Sequence, residues 1–96
     1  MTPGHSRPRA QREALERVPL RNAAVEAPPA ARQDEPVVEA SAPIPVWAWI
    51  STASGKSFEA RARALRWTAR QAFVEYQDPA GRVGNAWLWA SAVRRR

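Results

Sequence analysis

Ser54-Gly55-Lys56-Ser57 has the residues that close a phosphate-binding loop, G-x-x-x-x-G-K-[ST], where backbone N–H groups cradle a polyphosphate and the lysine reaches its outer oxygens. The loop's first glycine would fall at position 50, and Ile50 stands there, so the backbone cannot wrap a phosphate. No acidic strand end is at hand to hold magnesium. The tetrapeptide therefore reads as a polar turn. Acid–base chemistry has as little to work with. The single histidine, His5, lies near the N-terminus, and the acids after position 44 are Glu59, Glu75 and Asp78, well separated. Glu59 and Glu75 fit outward strand positions opposite arginines, and Asp78 fits the opening of a turn. No nucleophile can be paired with a base. The chain has no cysteine, which excludes disulfides and thiolate metal sites, and no cluster has metal-ligand spacing. A non-enzyme is expected, without catalytic residues, cofactor or metal.

What remains is arginine among tryptophan. All five tryptophans (Trp47, Trp49, Trp67, Trp87, Trp89) follow position 44, with Phe58, Phe73 and Tyr76. Residues 44–96 carry Lys56 and eight arginines against three acids, so the whole net charge of +6 lies there; the first 43 residues balance six arginines against six acids. Arg61 and Arg63 share a strand face, Arg66, Arg70 and Arg82 lie near strand ends, and Arg94, Arg95 and Arg96 close the chain. Guanidinium groups hold phosphates and indoles stack on bases, so this combination suits DNA or RNA. The candidate binding residues are Arg61, Arg63, Arg66, Arg70, Arg82, Trp87, Trp89, Arg94 and Arg95. The opposing reading is a solubilising arginine face over a tryptophan core, and the arginine bias of GC-rich coding weakens the case for binding.

The elements that must position these residues follow from local pattern. Residues 1–43 contain no aromatic and seven of the nine prolines, too little apolar surface to offset ordering entropy. This stretch is expected to be a disordered tail, with a marginal helix over 8–18 and an extended Ala/Pro/acid linker from Ala23 to Pro45. It has no apolar core of a secretory signal, and Ser41–Gly55, the longest uncharged stretch, is too short for a membrane span. A cytoplasmic protein without membrane association is expected. Val46-Trp47-Ala48-Trp49-Ile50 reads as a strand followed by a turn cluster. Asp78-Pro79-Ala80-Gly81 suits a type I turn joining strands at Phe73–Tyr76 and Arg82–Ala90. On the second of these, Ala86, Leu88 and Ala90 fall on one face and Trp87 and Trp89 on the other.

Ser57–Tyr76 supports two patterns. Phe58, Ala60, Ala62 and Ala64 alternate with Glu59, Arg61 and Arg63 as in a strand; Phe58, Ala62, Leu65, Ala69, Ala72 and Tyr76 recur as on a helix, which alanine and arginine also favour. Thr68-x-x-Gln71 resembles a capping box and implies an element boundary with a fresh helical turn after it. One helix on two strands would also make a poor core. The fold class is therefore mainly β: a small barrel of about five short strands over 44–96, with a minimal β-α-β unit carrying a helix at 57–76 as the alternative. Alanines alone cannot fill a barrel to native density, so two or three tryptophans are expected inside, with Trp87 and Trp89 on an exposed patch.

Trp67-Thr68 with Val74, and Trp87-Leu88-Trp89-Ala90-Ser91-Ala92-Val93-Arg94, resemble the W-T-x-x-x-x-x-V and W-V-W-A-x-A-V-x-R patterns in the C-terminal half of small actinobacterial proteins. The resemblance covers about half the chain and implies no activity. The ending also resembles SH3-like barrels, which implies one 3₁₀ turn at Ser91-Ala92-Val93 and a short or frayed last strand at Arg94–Arg96. Fold analogy does not assign function. A nucleic-acid-binding accessory module is the first functional expectation. The alternative is a protein-interaction module receiving a proline-rich segment such as Glu26-Ala27-Pro28-Pro29-Ala30-Ala31-Arg32 of its own chain.

Overall fold

The computed structural model describes residues 16–96, and the protein is mainly β. Five antiparallel strands, β1 (Val38–Ser51), β2 (Ser57–Trp67), β3 (Gln71–Gln77), β4 (Val83–Trp89) and β5 (Val93–Arg95), form one sheet in the order β4-β3-β2-β1-β5. β4 and β5 are thus opposite edges, yet only a 3₁₀ turn, Ala90–Ala92, separates them in the chain. A flat five-stranded sheet would hold its edges about 19 Å apart at about 4.8 Å per neighbour, whereas three 3₁₀ residues advance about 6 Å. The sheet therefore curls on itself, while its hydrogen-bonded order stays open. The five-stranded β domain expected from sequence is present, curled rather than closed by hydrogen bonds. The 3₁₀ turn and last strand each begin one residue earlier than expected.

The strand reading of Ser57–Trp67 is correct. Its alanines, Ala60, Ala62 and Ala64, face inward and Glu59, Arg61 and Arg63 face out. The inner face joins them to Val46, Ala48, Ile50, Ala72, Val74, Tyr76, Ala86 and Leu88. No tryptophan is fully buried, contrary to expectation. The alanines do not leave a space for an indole; they let the strands approach and the sheet curl tightly, so aliphatic side chains and Tyr76 fill the interior. Trp67 packs half-buried against this core.

Both long hairpins turn by the same device. The Thr52 and Asp78 carbonyls each accept an N–H from the glycine three residues on, Gly55 at 2.9 Å and Gly81 at 2.8 Å, and these glycines have φ of 90° and 84°. The turn expected around Ser54–Ser57 falls at Thr52–Gly55, with Ser57 already in β2, and the turn at Asp78–Gly81 is where the sequence implied. Thr68 does not start a helical turn. Its hydroxyl accepts the Arg70 and Gln71 N–H groups, and its own N–H donates to Gln71 O at 2.8 Å, closing the β2–β3 hairpin. The same residue types that cap a helix serve a tight turn equally well.

The stretch expected to be mobile through residue 43 is ordered from residue 16 onward, and the domain boundary placed at 44 falls inside β1. Val18 N–H donates to Val83 O and Val83 N–H to Glu16 O, at 2.9 and 3.0 Å. Val25 N–H then reaches Ser51 O at 2.7 Å, and Ala27 N–H reaches Trp87 O at 2.8 Å. Residues 16–27 thus lie along the seam between the free edge of β4 and the end of β1, and Ala27 is buried. A segment without aromatics becomes ordered because the sheet offers it unpaired backbone groups. The expected helix at 8–18 falls mostly outside the described residues; Glu16–Val18 is not helical. Among the described residues no helix is long and apolar enough to cross a membrane.

Candidate binding face

The outward residues of β1 and its neighbours form an aromatic and cationic surface. Trp47 is the register partner of Arg61 on β2 and of Arg94 on β5, so antiparallel pairing alone sets a guanidinium on each side of the indole. Arg96 adds a third. All three guanidinium carbons lie 5.8 Å from the Trp47 ring centroid. Arg96 is fixed there by donating Nε to Val46 O at 2.9 Å and Nη2 to Ala62 O at 3.1 Å. Two residues along the same face stands Trp49, 52% exposed, opposite Glu59. Trp89, 41% exposed at the end of β4, faces Trp49 across a groove of about 250 Å³.

The nine candidate residues separate into two groups. Arg61, Arg94 and Trp89 belong to this face. Arg95 lies beside it on β5, with its side chain at the mouth of a second cavity of about 240 Å³ that Trp67 also lines. The other arginines are engaged elsewhere. Arg63 pairs with Glu75, Arg66 with Glu39 at 3.1 Å, Arg70 with Glu35 at 2.8 Å and Arg82 with Asp78 at 2.8 Å. Arg94 itself pairs with Glu59 at 3.1 Å. Among the described residues neither Arg61 nor Arg96 has an acidic partner. Spacing along the chain put these arginines near one another, but apart from Asp78, four residues before Arg82 in the same turn, the acids that neutralise them come from other strands and from the N-terminal segment.

The carboxyls of two acids lie below their ordinary values. Burial pushes the Asp78 carboxyl upward, but the Arg82 N–H, the Arg82 guanidinium and the Ala80 N–H outweigh it and leave it below its ordinary value. The Thr68 hydroxyl, and after it Arg70, lower the Glu35 carboxyl.

Trp87 is covered, in contrast to the exposed patch expected of it. Arg32 lies 4.3 Å over its ring. Arg32 Nη1 donates to Gln71 Oε1 at 2.9 Å, Gln71 Nε2 donates to Pro28 O at 3.2 Å, and the Trp87 backbone N–H donates to Glu26 Oε1 at 2.7 Å. The proline-rich segment 26–32 is therefore docked on its own chain. Trp87 ends a cross-strand row, Glu39, Arg66, Phe73 and Trp87, each residue the register partner of the next.

Trp47 and Trp49, absent from the candidate residues, are the centre of the exposed face. The signal for them was present: they flank Ala48 as Trp87 and Trp89 flank Leu88, and Ala48 and Ile50 were the better core positions. Among the described residues no group of acids or histidine is arranged to hold a metal ion. No protein-family model matches this chain, and neither does a curated protein or a solved structure.

Proposed function

We propose that this protein is a non-enzymatic binding module whose outer β1–β2–β5 face takes nucleic acid. The observation that carries this reading is Trp47 flanked by Arg61, Arg94 and Arg96, with Trp49 exposed beside it. Cations at an aromatic platform supply phosphate contacts and a stacking surface together. The strand order, and the 3₁₀ turn before β5, accord with the SH3-like resemblance, which leaves function open. Tryptophan fluorescence of the full chain, titrated with DNA and RNA at low and high salt, tests the reading. Quenching that weakens steeply with salt supports it. No response at low salt overturns it.

A second reading has its own observation: the docked segment 26–32. A module that holds Pro28-Pro29 and Arg32 of its own chain on Trp87 offers the same surface to a proline-rich segment of another protein once its own is released. A synthetic peptide of residues 26–32, titrated into full-length Arg32→Ala protein, tests this. Saturable protection of Trp87 supports the peptide reading, and no binding removes it.

A further inference from the structure

We infer that the groove between Trp49 and Trp89 receives an unpaired base, which makes the ligand a single-stranded rather than a duplex nucleic acid; this rests on the nucleic-acid reading. The two indoles are the most exposed tryptophans of the chain and line one groove of about 250 Å³. Leu88 and Val25 add apolar walls, and Glu26 is the one ionisable residue in the lining. Indoles and aliphatic walls take a flat, weakly hydrated group by its faces. The Glu26 carboxylate repels phosphate, and with Oε1 holding the Trp87 N–H its Oε2 is left to accept an exocyclic amine, as acidic side chains accept from cytosine. The groove thus suits the base end of a nucleotide. The cations that suit its phosphate, Arg94, Arg61 and Arg96, lie around Trp47, the next outward residue along β1. A strand can then lay one base in the groove and the next on Trp47, with the phosphate between them on the arginines around Trp47.

Spacing adds an independent argument. Residues i and i+2 of a strand are about 6.7 Å apart, roughly twice the 3.4 Å between stacked bases of a duplex strand. Bases lying on Trp47 and Trp49 in succession must be drawn apart, which an extended single strand permits and a base-paired duplex does not.

The test measures binding of full-length protein to single-stranded oligo(dC), oligo(dT) and oligo(rC) and to a duplex of equal length, at low salt, with Trp49→Ala, Trp89→Ala and Trp49→Phe variants. Both positions are exposed, and a urea midpoint verifies that each variant is folded. The expected result is single strand over duplex by about tenfold or more, dC over dT, and loss of about tenfold in either alanine variant, since one stacked base is worth about 1–3 kcal/mol. Trp49→Phe retains most of the affinity. Equal affinity for duplex, with both alanine variants unaffected, overturns the base groove while leaving a phosphate-binding face. Absence of binding to every nucleic acid overturns the nucleic-acid reading itself. If an arginine-rich peptide protects Trp49 and Trp89 and oligonucleotides do not, the groove is a cation site of a protein interface and the inference fails.

Discussion

Tyr76 lies directly across the backbone of Gly84, its register partner on the neighbouring strand: a Cβ on Gly84 would sit 2.6 Å from the ring's Cζ and Oη. The ring therefore uses the place where a side chain would stand, and burial pushes its phenol above the usual value. Gly84→Ala forces the ring or β4 to move, and overpacking of this kind costs about 1–3 kcal/mol. The urea midpoint of Gly84→Ala should fall accordingly. An unchanged midpoint would show that Tyr76 has room to shift. Tyr76→Phe, which leaves Cζ in place, should not rescue the variant.

Arg32 holds the N-terminal segment through stacking and through buried Gln71. Arg32→Ala removes the stack and leaves the Gln71 carbonyl oxygen without its donor, which costs about 1–3 kcal/mol. Hydrogen exchange at the Ala27 amide should accelerate with little change at Val74 in the sheet centre. Arg32→Lys should restore little, because an ammonium has no planar face to lay on an indole.

The charge pattern separates binding arginines from structural ones. On the nucleic-acid reading, Arg61→Ala and Arg96→Ala, which remove the two cations of the face without an acidic partner among the described residues, should each lower the slope of log affinity against log salt by about one contact. Arg63→Ala and Arg82→Ala, whose cations face Glu75 and Asp78, should leave that slope unchanged. Equal effects from all four would mean that only net charge matters.

Acid sensitivity follows from Asp78 and Glu35. Both carboxyls lie below their ordinary values of 3.8 and 4.5 in the folded chain. Their contribution to stability is therefore complete above those ordinary values and is lost as pH falls through the lower folded ones. Thermal melts should be flat from neutrality to about pH 5 and decline below it. In Asp78→Asn the acid decline should be shallower and the neutral-pH melting temperature lower, since an uncharged amide at that position cannot hold Arg82 by charge.

Much of the sheet was legible because its cues are local. Val46–Ile50 is rich in β formers, and Asp78-Pro79-Ala80-Gly81 has turn residues in the right order. In Ser57–Trp67 alternation and helical spacing were both present; the boundary at Thr68 and the poor core of one helix on two strands decided for the strand, although Thr68 closes a hairpin rather than opening a helical turn. The tryptophans were misread because their volume was assigned to an interior of fixed size, when small side chains let the interior shrink. Order in residues 16–37 was not legible at all: it arises from hydrogen bonds to β4 and β1, which no window of neighbouring residues contains. The same holds for the engaged arginines. Glu35 and Glu39 come from a stretch read as separate from the domain, and their pairing with Arg70 and Arg66 removed two candidates from the face.

The seam filled by residues 16–27 also sets an order of events during synthesis. Glu26 and the strand position it binds at Trp87 are 61 residues apart. Residues 16–27 leave the ribosome well before β4 does; Ala23–Val25 find partners at the end of β1, but Glu16–Val18 and Glu26–Ala27 must wait for β4. Contacts of such long sequence separation come late and slow the closing step. Until Val83–Trp89 has emerged, β1, β2 and β3 form an incomplete meander with its apolar face uncovered. A nascent chain stalled before Val83 should accordingly be a good chaperone client, and emergence of Val83–Arg95 should end that dependence at once.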